Sequence, residues 1–532
     1  IRQRLSSPVQ PANSPSTSLL QTEGNQASRE PGVGKKVRNA AAMPSLMASS
    51  QPGMPVSCSS YSVPTPSSPL QSLPVRAVPG GYGWPVLGPL SDRLAYFWFQ
   101  GPETFFRKRM ERHQSSVFRT NLPPTFPFFF GVNPHVVALL DCRSYAHILD
   151  SDLVDKSDVL VGDFAPSLKF TGGRRVCAYL DTTEPQHTKI KDFSMDILKR
   201  SSAAWASELV SGLDTMWNGI EASVSQNGSA SYLLPLQQWI FKFFSKCLLG
   251  ADPIKSPEIA KSGHIMLDKW LALQLLPTVN IGILQPLEEI FLHSFAYPFF
   301  LVSGDYRKLV EFVEQEATEV IQRGAAEFGL SREETVHNLL FILGFNAFGG
   351  FSIFLPALIG NLGKDPALQA RLREEVREKA AAGLRMETVK DLEKVQSFVY
   401  ETLRYAPPVP LQYGRARRDF DLASHDAVFR IKKGELLVGF QKLVMRDPRV
   451  FEDPETFAAD RFAGDRGREL LNYLYWSNGP QTGTPSAANK QCAGKDYVTA
   501  TASLFVAHLF LRYDSITATS TSVTAIEKAK AS

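Results

Sequence analysis

From Asn338 to Gly363 the chain carries no charged side chain, and at about 1.5 Å per residue a helix of that length could cross a bilayer. Two placements satisfy such a run: a membrane span, or a helix packed on all sides at the centre of a large core. Asn346, the paired Gly349-Gly350, Pro356 and Asn361 interrupt the run, charged sequence flanks it, and no second comparable span exists. It therefore reads as a buried central helix, in which Asn346 must be hydrogen-bonded or face a cavity. A chain of 532 residues, 44% apolar, can build the core such a helix needs.

The charge is unevenly spread. Residues 1–76 hold seven basic and two acidic residues of the 57 and 53 in the whole chain, so the remaining 456 carry 50 against 51 and are close to neutral. That balance excludes a nucleic-acid-binding body. The first 76 residues are rich in Ser, Pro, Ala, Gln and Gly, with no sustained hydrophobic period; they read as a disordered leader. Ser-rich, basic and without a signal-peptide apolar run, this leader is expected to be a chloroplast transit segment. Met47-Ala-Ser-Ser is an alternative initiation site within it. The five cysteines, Cys58, Cys142, Cys177, Cys247 and Cys492, are widely spaced, which argues against a disulfide framework or a structural zinc site.

Order is expected to begin near Leu73, with the folded body spanning residues 77–532. Pro79-Gly-Gly-Tyr-Gly-Trp-Pro-Val-Leu-Gly-Pro89 lacks the preceding strand and spacing of a dinucleotide loop, and reads as a rigid turn. Helices are predicted over Pro366–Ala382, ending at Gly383, over Val389–Tyr405, and over Tyr497–Leu511. Alternation between Pro408 and Val438, with a turn at Lys433-Gly434, predicts a small sheet. Without repeats, the fold class is mainly α: one large helical domain with a small β region. Trp239-Ile-Phe-Lys-Phe-Phe244 is apolar enough to dip into a membrane interface.

Three separated signals bear on chemistry. Glu401-Thr-Leu-Arg404 places a carboxylate and a guanidinium one helical turn apart. Pro454-Glu-Thr-Phe-Ala-Ala-Asp-Arg461-Phe462 supplies a second Arg. Asn489-Lys-Gln-Cys492-Ala-Gly494 sets a cysteine in a loop at a helix start, where N–H groups and the helix dipole favour thiolate.

In order and spacing these motifs resemble those of the haem-thiolate cytochrome P450 superfamily over roughly residues 73–515. The resemblance implies that Glu401, Arg404 and Arg461 form a buried structural triad and that Cys492 is the axial ligand of the iron of haem b. Thiolate ligation favours O–O cleavage.

The departures from the general pattern are specific. A longer stretch, from Trp476 through Gly479-Pro-Gln-Thr-Gly483 to Ala488, precedes Asn489-Lys-Gln-Cys492. The central helix has no acid between Glu334 and Asp365 and no Ser or Thr between Thr335 and Ser352, so it lacks the acid and alcohol that protonate bound dioxygen in oxygen-activating members. In their place stands Gly344-Phe-Asn346-Ala-Phe-Gly349-Gly350. These features are similar to the plant fatty acid hydroperoxide-metabolising family, which needs neither O2 nor a reductase. The segments Leu339–Pro356 and Tyr473–Ser486 look like its lyase branch, and Leu160 stands where the neighbouring allene oxide synthases carry Phe.

The resemblance implies homolytic cleavage of a (13S)-hydroperoxy C18 fatty acid and closure of the alkoxyl radical onto the adjacent double bond. Recombination with hydroxyl then yields a hemiacetal that breaks into a C6 aldehyde and a 12-carbon oxo acid. Asn346 would orient the hydroperoxide, Leu160, Pro410 and Leu411 would wall the pocket, and Lys156, His187, Lys191 and Lys490 would pair the haem propionates. The alternatives are an allene oxide synthase, an O2-dependent monooxygenase, and a non-catalytic haem-binding protein of lipid surfaces. The expected setting is the chloroplast, at the envelope or thylakoid surface through peripheral association, with no reductase or nucleic-acid partner.

Overall fold

The computed structural model describes residues 73–530 apart from 126–128, 130, 281, 283 and 284. The leader read over residues 1–76 lies outside the described residues as far as position 72; Val75–Arg76 form a short strand parallel to Val428–Ile431.

The uncharged run is one continuous helix from Arg332 to Gly363, 72% of its most apolar window buried inside the protein. A reciprocal Ser331–Glu334 capping box starts it. It is α-helical to Phe341, π-helical over Ile342–Gly349 and α-helical again from Gly350. The wider π turn inserts an extra residue into the ladder, a feature concentrated at functional sites, and Asn346 lies within it. Gly344 lets the Pro257–Leu275 helix approach closely, because a Cβ there would stand 2.7 Å from the Trp270 ring.

Against this helix pack Leu233–Leu249, Pro257–Leu275, Pro366–Lys379 and Glu393–Tyr405, and these in turn pack on Pro185–Asn227 and Lys495–Arg512. The Pro366 helix stops at Lys379, earlier than expected, and Gly383 occupies a left-handed turn beyond it at φ +105°. The segment read as one helix from Val389 divides into a 3₁₀ turn, Met386–Asp391, and the helix from Glu393. The last helix begins two residues earlier than predicted and is buried on every face from Thr501 to Phe510.

The β region is more extensive than the sequence suggested. A five-stranded sheet runs in the order Val117–Asn121, His135–Leu139, Leu436–Phe440, Leu411–Ala416, Val154–Asp155. Val137 is level with Leu437 in its one parallel pairing, and Tyr413 with Val438 in an antiparallel one. Phe420–Ala423 and Val428–Ile431 make a second sheet with Val75–Arg76. Tyr513–Ala518, Ser522–Lys528 and Ala230–Ser231 make a third.

The stretch Trp239–Phe244 is not available to a membrane interface. Trp239, Ile240, Phe241, Phe243 and Phe244 are all buried, leaving only Lys242 exposed. A helix apolar on nearly all sides belongs to a core. Trp239 stacks on Phe243 at 5.3 Å between ring centres and lies over Gly212. Trp239→Ala should therefore cost about 3–5 kcal/mol, read as a lowered urea midpoint; an unchanged midpoint would return this stretch to the surface.

Candidate active site

Glu401 and Arg404 face each other one turn apart and are fully buried. Arg404 Nε and Nη2 donate to the two Glu401 carboxylate oxygens at 2.7 and 2.8 Å. Arg461 Nε lies 3.2 and 3.1 Å from the same oxygens, and the Ala458 N–H donates to one of them at 2.8 Å. The spare guanidinium N–H groups reach carbonyls: Met445 and Pro454 at 2.9 Å from Arg404, and Thr456 at 2.9 Å from Arg461. A buried ion cluster persists only when its donors and acceptors are matched in this way. It fixes residues 445–461 against the Glu393–Tyr405 helix, and the Met445 sulfur then accepts the Tyr475 N–H at 3.3 Å, where the cysteine loop begins.

That loop is held by side-chain amides. Trp476 Nε1 donates to Gln481 Oε1 at 2.9 Å, Gln491 Nε2 to the Pro480 carbonyl at 2.6 Å, and Asn478 Nδ2 to the Lys490 carbonyl at 3.0 Å. Gln491 crosses Gly479 and Gly483 so closely that a Cβ on either would lie 2.7 or 2.8 Å from it. The inserted stretch is thus a stapled lobe, and the Cys492 N–H donates to the Ser477 carbonyl at 2.8 Å. Sequence reading missed these amides; their recurrence at positions 478, 481, 489 and 491 between glycines was the available signal.

Cys492 lies deep among protein atoms yet keeps accessible surface, the property of a side chain lining an internal space. Burial pushes its thiol up, outweighing the Lys191 ammonium and the Gly494 N–H, which pull it down. The N–H groups at the helix start do favour thiolate, as expected, but within the protein alone desolvation outweighs them.

Beside the cysteine loop sit four basic groups. Lys156, His187 and Lys191 are buried and Lys490 is half-buried. Lys156 Nζ donates to Asn478 Oδ1 at 2.6 Å, a neutral partner. Burial first, then the Lys490 ammonium, pulls Lys156 down to about 7. Burial, with Lys490 and Lys191, pulls His187 down to about 4. Neither His187 ring nitrogen has a hydrogen bond of normal geometry, although the Ala487 carbonyl lies near enough to favour the protonated ring slightly. The neighbouring acid, Asp181, is engaged elsewhere: burial opposes its ionisation, but Arg417 at 2.5 Å and Thr183 hold it well below the usual carboxylate range. Cations without a counter-ion and an orphaned imidazole fit a group bearing two carboxylates, such as the haem propionates.

Lys490 also has a mechanical part, because its ammonium donates at 2.7 Å to both the Cys177 and Leu180 carbonyls. The Cys177 N–H donates to Asn338 Oδ1 at 3.1 Å, and Asn338 Nδ2 donates to the Glu334 carbonyl at 2.9 Å. One residue's backbone therefore ties the central helix to the loop that carries Cys492. Lys191 donates to the Gln491 carbonyl.

Asn346 is exposed between buried neighbours and has no hydrogen-bond partner among the described residues; of the two expected environments it has the open space. Leu160 is half-buried against the main core, in a turn bounded by Asp158 at φ +51° and Gly162 at φ +64°. Leu411 is half-buried at the start of its strand, and Pro410 is exposed, its carbonyl accepting the Gln441 N–H at 2.8 Å. Gly162 packs on the Tyr413 ring, and Asp163 pairs with Arg415 at 2.5 Å, so the Leu160 turn lies against the Leu411 strand. No hydrogen bond links Asn346 to these residues among those described.

The depressed Lys156 sets a pH dependence. Its folded value of about 7 lies below its ordinary 10.5, so between those values the folded chain binds fewer protons than the unfolded one, and stability rises with pH. In haem-free protein the penalty is fully present below about pH 7. Lys156→Met is expected to raise the urea midpoint at pH 6.5 more than at pH 9 while weakening haem retention; an equal shift at both pH values would refute the buried-cation account.

Residues 310–530 match the family described as Cytochrome P450. The chain is 62% identical over 463 residues to the fatty acid hydroperoxide lyase, chloroplastic, of Solanum lycopersicum, covering 86% of this chain and 97% of that protein. It is 58% identical over 488 residues to the linolenate hydroperoxide lyase, chloroplastic, of Arabidopsis thaliana, covering 91% and 99%. To the allene oxide synthase, chloroplastic, of Linum usitatissimum it is 41% identical over 459 residues, covering 85% of each. Identity that high over almost the whole of both lyases, together with the mainly α architecture, places the chain: it belongs to the cytochrome P450 family, in the group of plant fatty acid hydroperoxide lyases.

Proposed function

We propose that the protein is a chloroplast fatty acid hydroperoxide lyase. It cleaves a (13S)-hydroperoxy polyunsaturated C18 acid into a C6 aldehyde and a 12-carbon oxo acid, without O2, NADPH or a reductase. The observation that carries this reading is the π-helical turn presenting a neutral amide, Asn346, without a hydrogen-bond partner among the described residues, in a helix with no acid beyond Glu334 and, between Thr335 and Ser352, no hydroxyl. Such a turn has nothing to protonate dioxygen with, but it can both donate to and accept from a substrate already carrying its O–O bond. The wider identity gap to the allene oxide synthase favours the lyase outcome.

In this reading Cys492 Sγ holds the iron of haem b, and Lys156, His187, Lys191 and Lys490 face its propionates. When bound, the haem supplies homolytic cleavage of the peroxide bond with no net electron demand. Asn346 fixes the hydroperoxide in one orientation, a contribution of positioning. Leu160, Pro410 and Leu411 give apolar walls, with Leu160 keeping aromatic π-electrons away from a carbon radical. The triad of Glu401, Arg404 and Arg461 holds the frame behind the cysteine loop. The leader directs import into the chloroplast, and the mature enzyme associates peripherally with the envelope or thylakoid membrane, where its lipid substrate resides.

Purified protein given a 13-hydroperoxide without NADPH is expected to release C6 aldehyde. A ketol product would assign it to the synthases, and an unconsumed hydroperoxide with bound haem would make it a binding protein. Asn346→Ala should retain haem and lose turnover on the order of 10²-fold, whereas Cys492→Ala should lose the thiolate haem spectrum. Near-normal kinetics in the Asn346 variant would reject its role.

A further inference from the structure

The 3₁₀ turn Cys177–Tyr179, with Leu180 after it, fastens separate parts of the site to one piece of backbone. The Cys177 N–H donates to Asn338 Oδ1 at 3.1 Å, and Asn338 Nδ2 donates to the Glu334 carbonyl at 2.9 Å, so a single amide joins the turn to the central helix. Lys490 Nζ donates at 2.7 Å to the Cys177 and Leu180 carbonyls, which joins the same turn to the loop carrying Cys492. The Tyr179 carbonyl accepts the Asp158 N–H at 3.2 Å, and Asp158, at φ +51°, bounds the Leu160 turn. Arg175 braces that junction by pairing with Asp158 at 3.0 Å. Asn346, Cys492 and Leu160 are thus all referenced to this turn.

Among these fastenings Asn338 is the one that packing does not require. It is 1% exposed, between residues that are themselves buried, where an apolar side chain of the same size would avoid the desolvation of an amide. Its polarity is matched by two bonds, and they differ in kind. The bond to Glu334 stays within the helix and fixes the plane of the amide. The bond from Cys177 reaches another part of the chain and holds the turn. From this division we infer that Asn338 is a positioning residue for the reaction: by holding the turn, it sets where the Asn346 amide, about two helical turns further along, stands relative to the Cys492 sulfur. The inference rests on the lyase reading above, in which Lys490 also faces a haem propionate. An ammonium has a donor to spare after the two carbonyls, so cofactor seating and Asn346 placement act through the same turn.

The test compares haem-loaded Asn338→Leu, Lys490→Met and the double variant with the parent, as turnover per bound haem. Asn338→Leu should retain haem, speed hydrogen exchange of the Cys177 amide about tenfold or more, and lower kcat for a 13-hydroperoxide about tenfold with KM unchanged. The double variant should lose no more kcat than the worse single one, because both changes loosen one turn. If Asn338→Leu does not fold, Asn338→Thr gives the same readings, since its hydroxyl can still donate to the Glu334 carbonyl but falls short of Cys177. Full kcat with a freely exchanging Cys177 amide would overturn the inference. So would a double variant whose loss is the product of the two single losses, which would make the two residues independent structural supports. Turnover is read as hydroperoxide consumed, whatever the product, so a synthase product would sink the lyase reading and leave this test standing.

Discussion

Burying an uncharged helix on every side organises the molecule. The run from Arg332 to Gly363 cannot face water, so helices are packed around it, and its polarity is limited to groups that find a partner or an opening. Asn338 finds a partner in the Cys177 N–H, and Asn346 has an opening. Because Cys177 also accepts from Lys490, two residues before Cys492, the spacing between amide and thiol is set from the central helix itself. The π segment at Ile342–Gly349 begins after Asn338 and contains Asn346; the change of winding between the two amides gives them different outlooks.

Two buried cationic clusters in the same protein show how a counter-charge decides a residue's role. In the first, Glu401 supplies it, and Arg404 and Arg461 spend their remaining N–H groups on carbonyls, so the assembly is complete within the chain. In the second, Lys156, His187 and Lys490 share Asp181, which Arg417 already claims, and Lys191 lies beside them. Burial disfavours their charged forms until an anion arrives. The first cluster is therefore complete within the chain, and the second is the one we propose as a binding site for an anionic group.

The sequence made the central helix legible because a long uncharged run permits few solutions, and the E-x-x-R pair because helix geometry fixes its spacing. The strands were harder: Val75–Arg76 and Val154–Asp155 are two residues each and exist only through partners far along the chain, which periodicity cannot register. Trp239–Phe244 was misread because an apolar run looks alike in a core and at an interface until Gly212 and Gly263 are seen against its rings. The environment of Cys492 was half legible for a related reason: a helix start is visible in sequence, but the desolvation that opposes it is a property of everything packed around it. The amides of the inserted loop are ordinary residues whose function as staples depends on closure.

At the surface, the stretches Trp84–Phe99 and Leu287–Leu301 follow the same rule as the two clusters, with polarity reversed. Arg93, Glu288, Glu289 and His293 could have pointed outward at no electrostatic cost in water; instead they hydrogen-bond inward while Trp84, Phe99 and Phe300 extend. Internal pairing joins two segments nearly two hundred residues apart in sequence. Charge placement thus separates three parts of one chain: a frame neutralised by its own carboxylate, a group of cations that no free carboxylate of the described residues neutralises, and an outer apolar face whose charges pair inward.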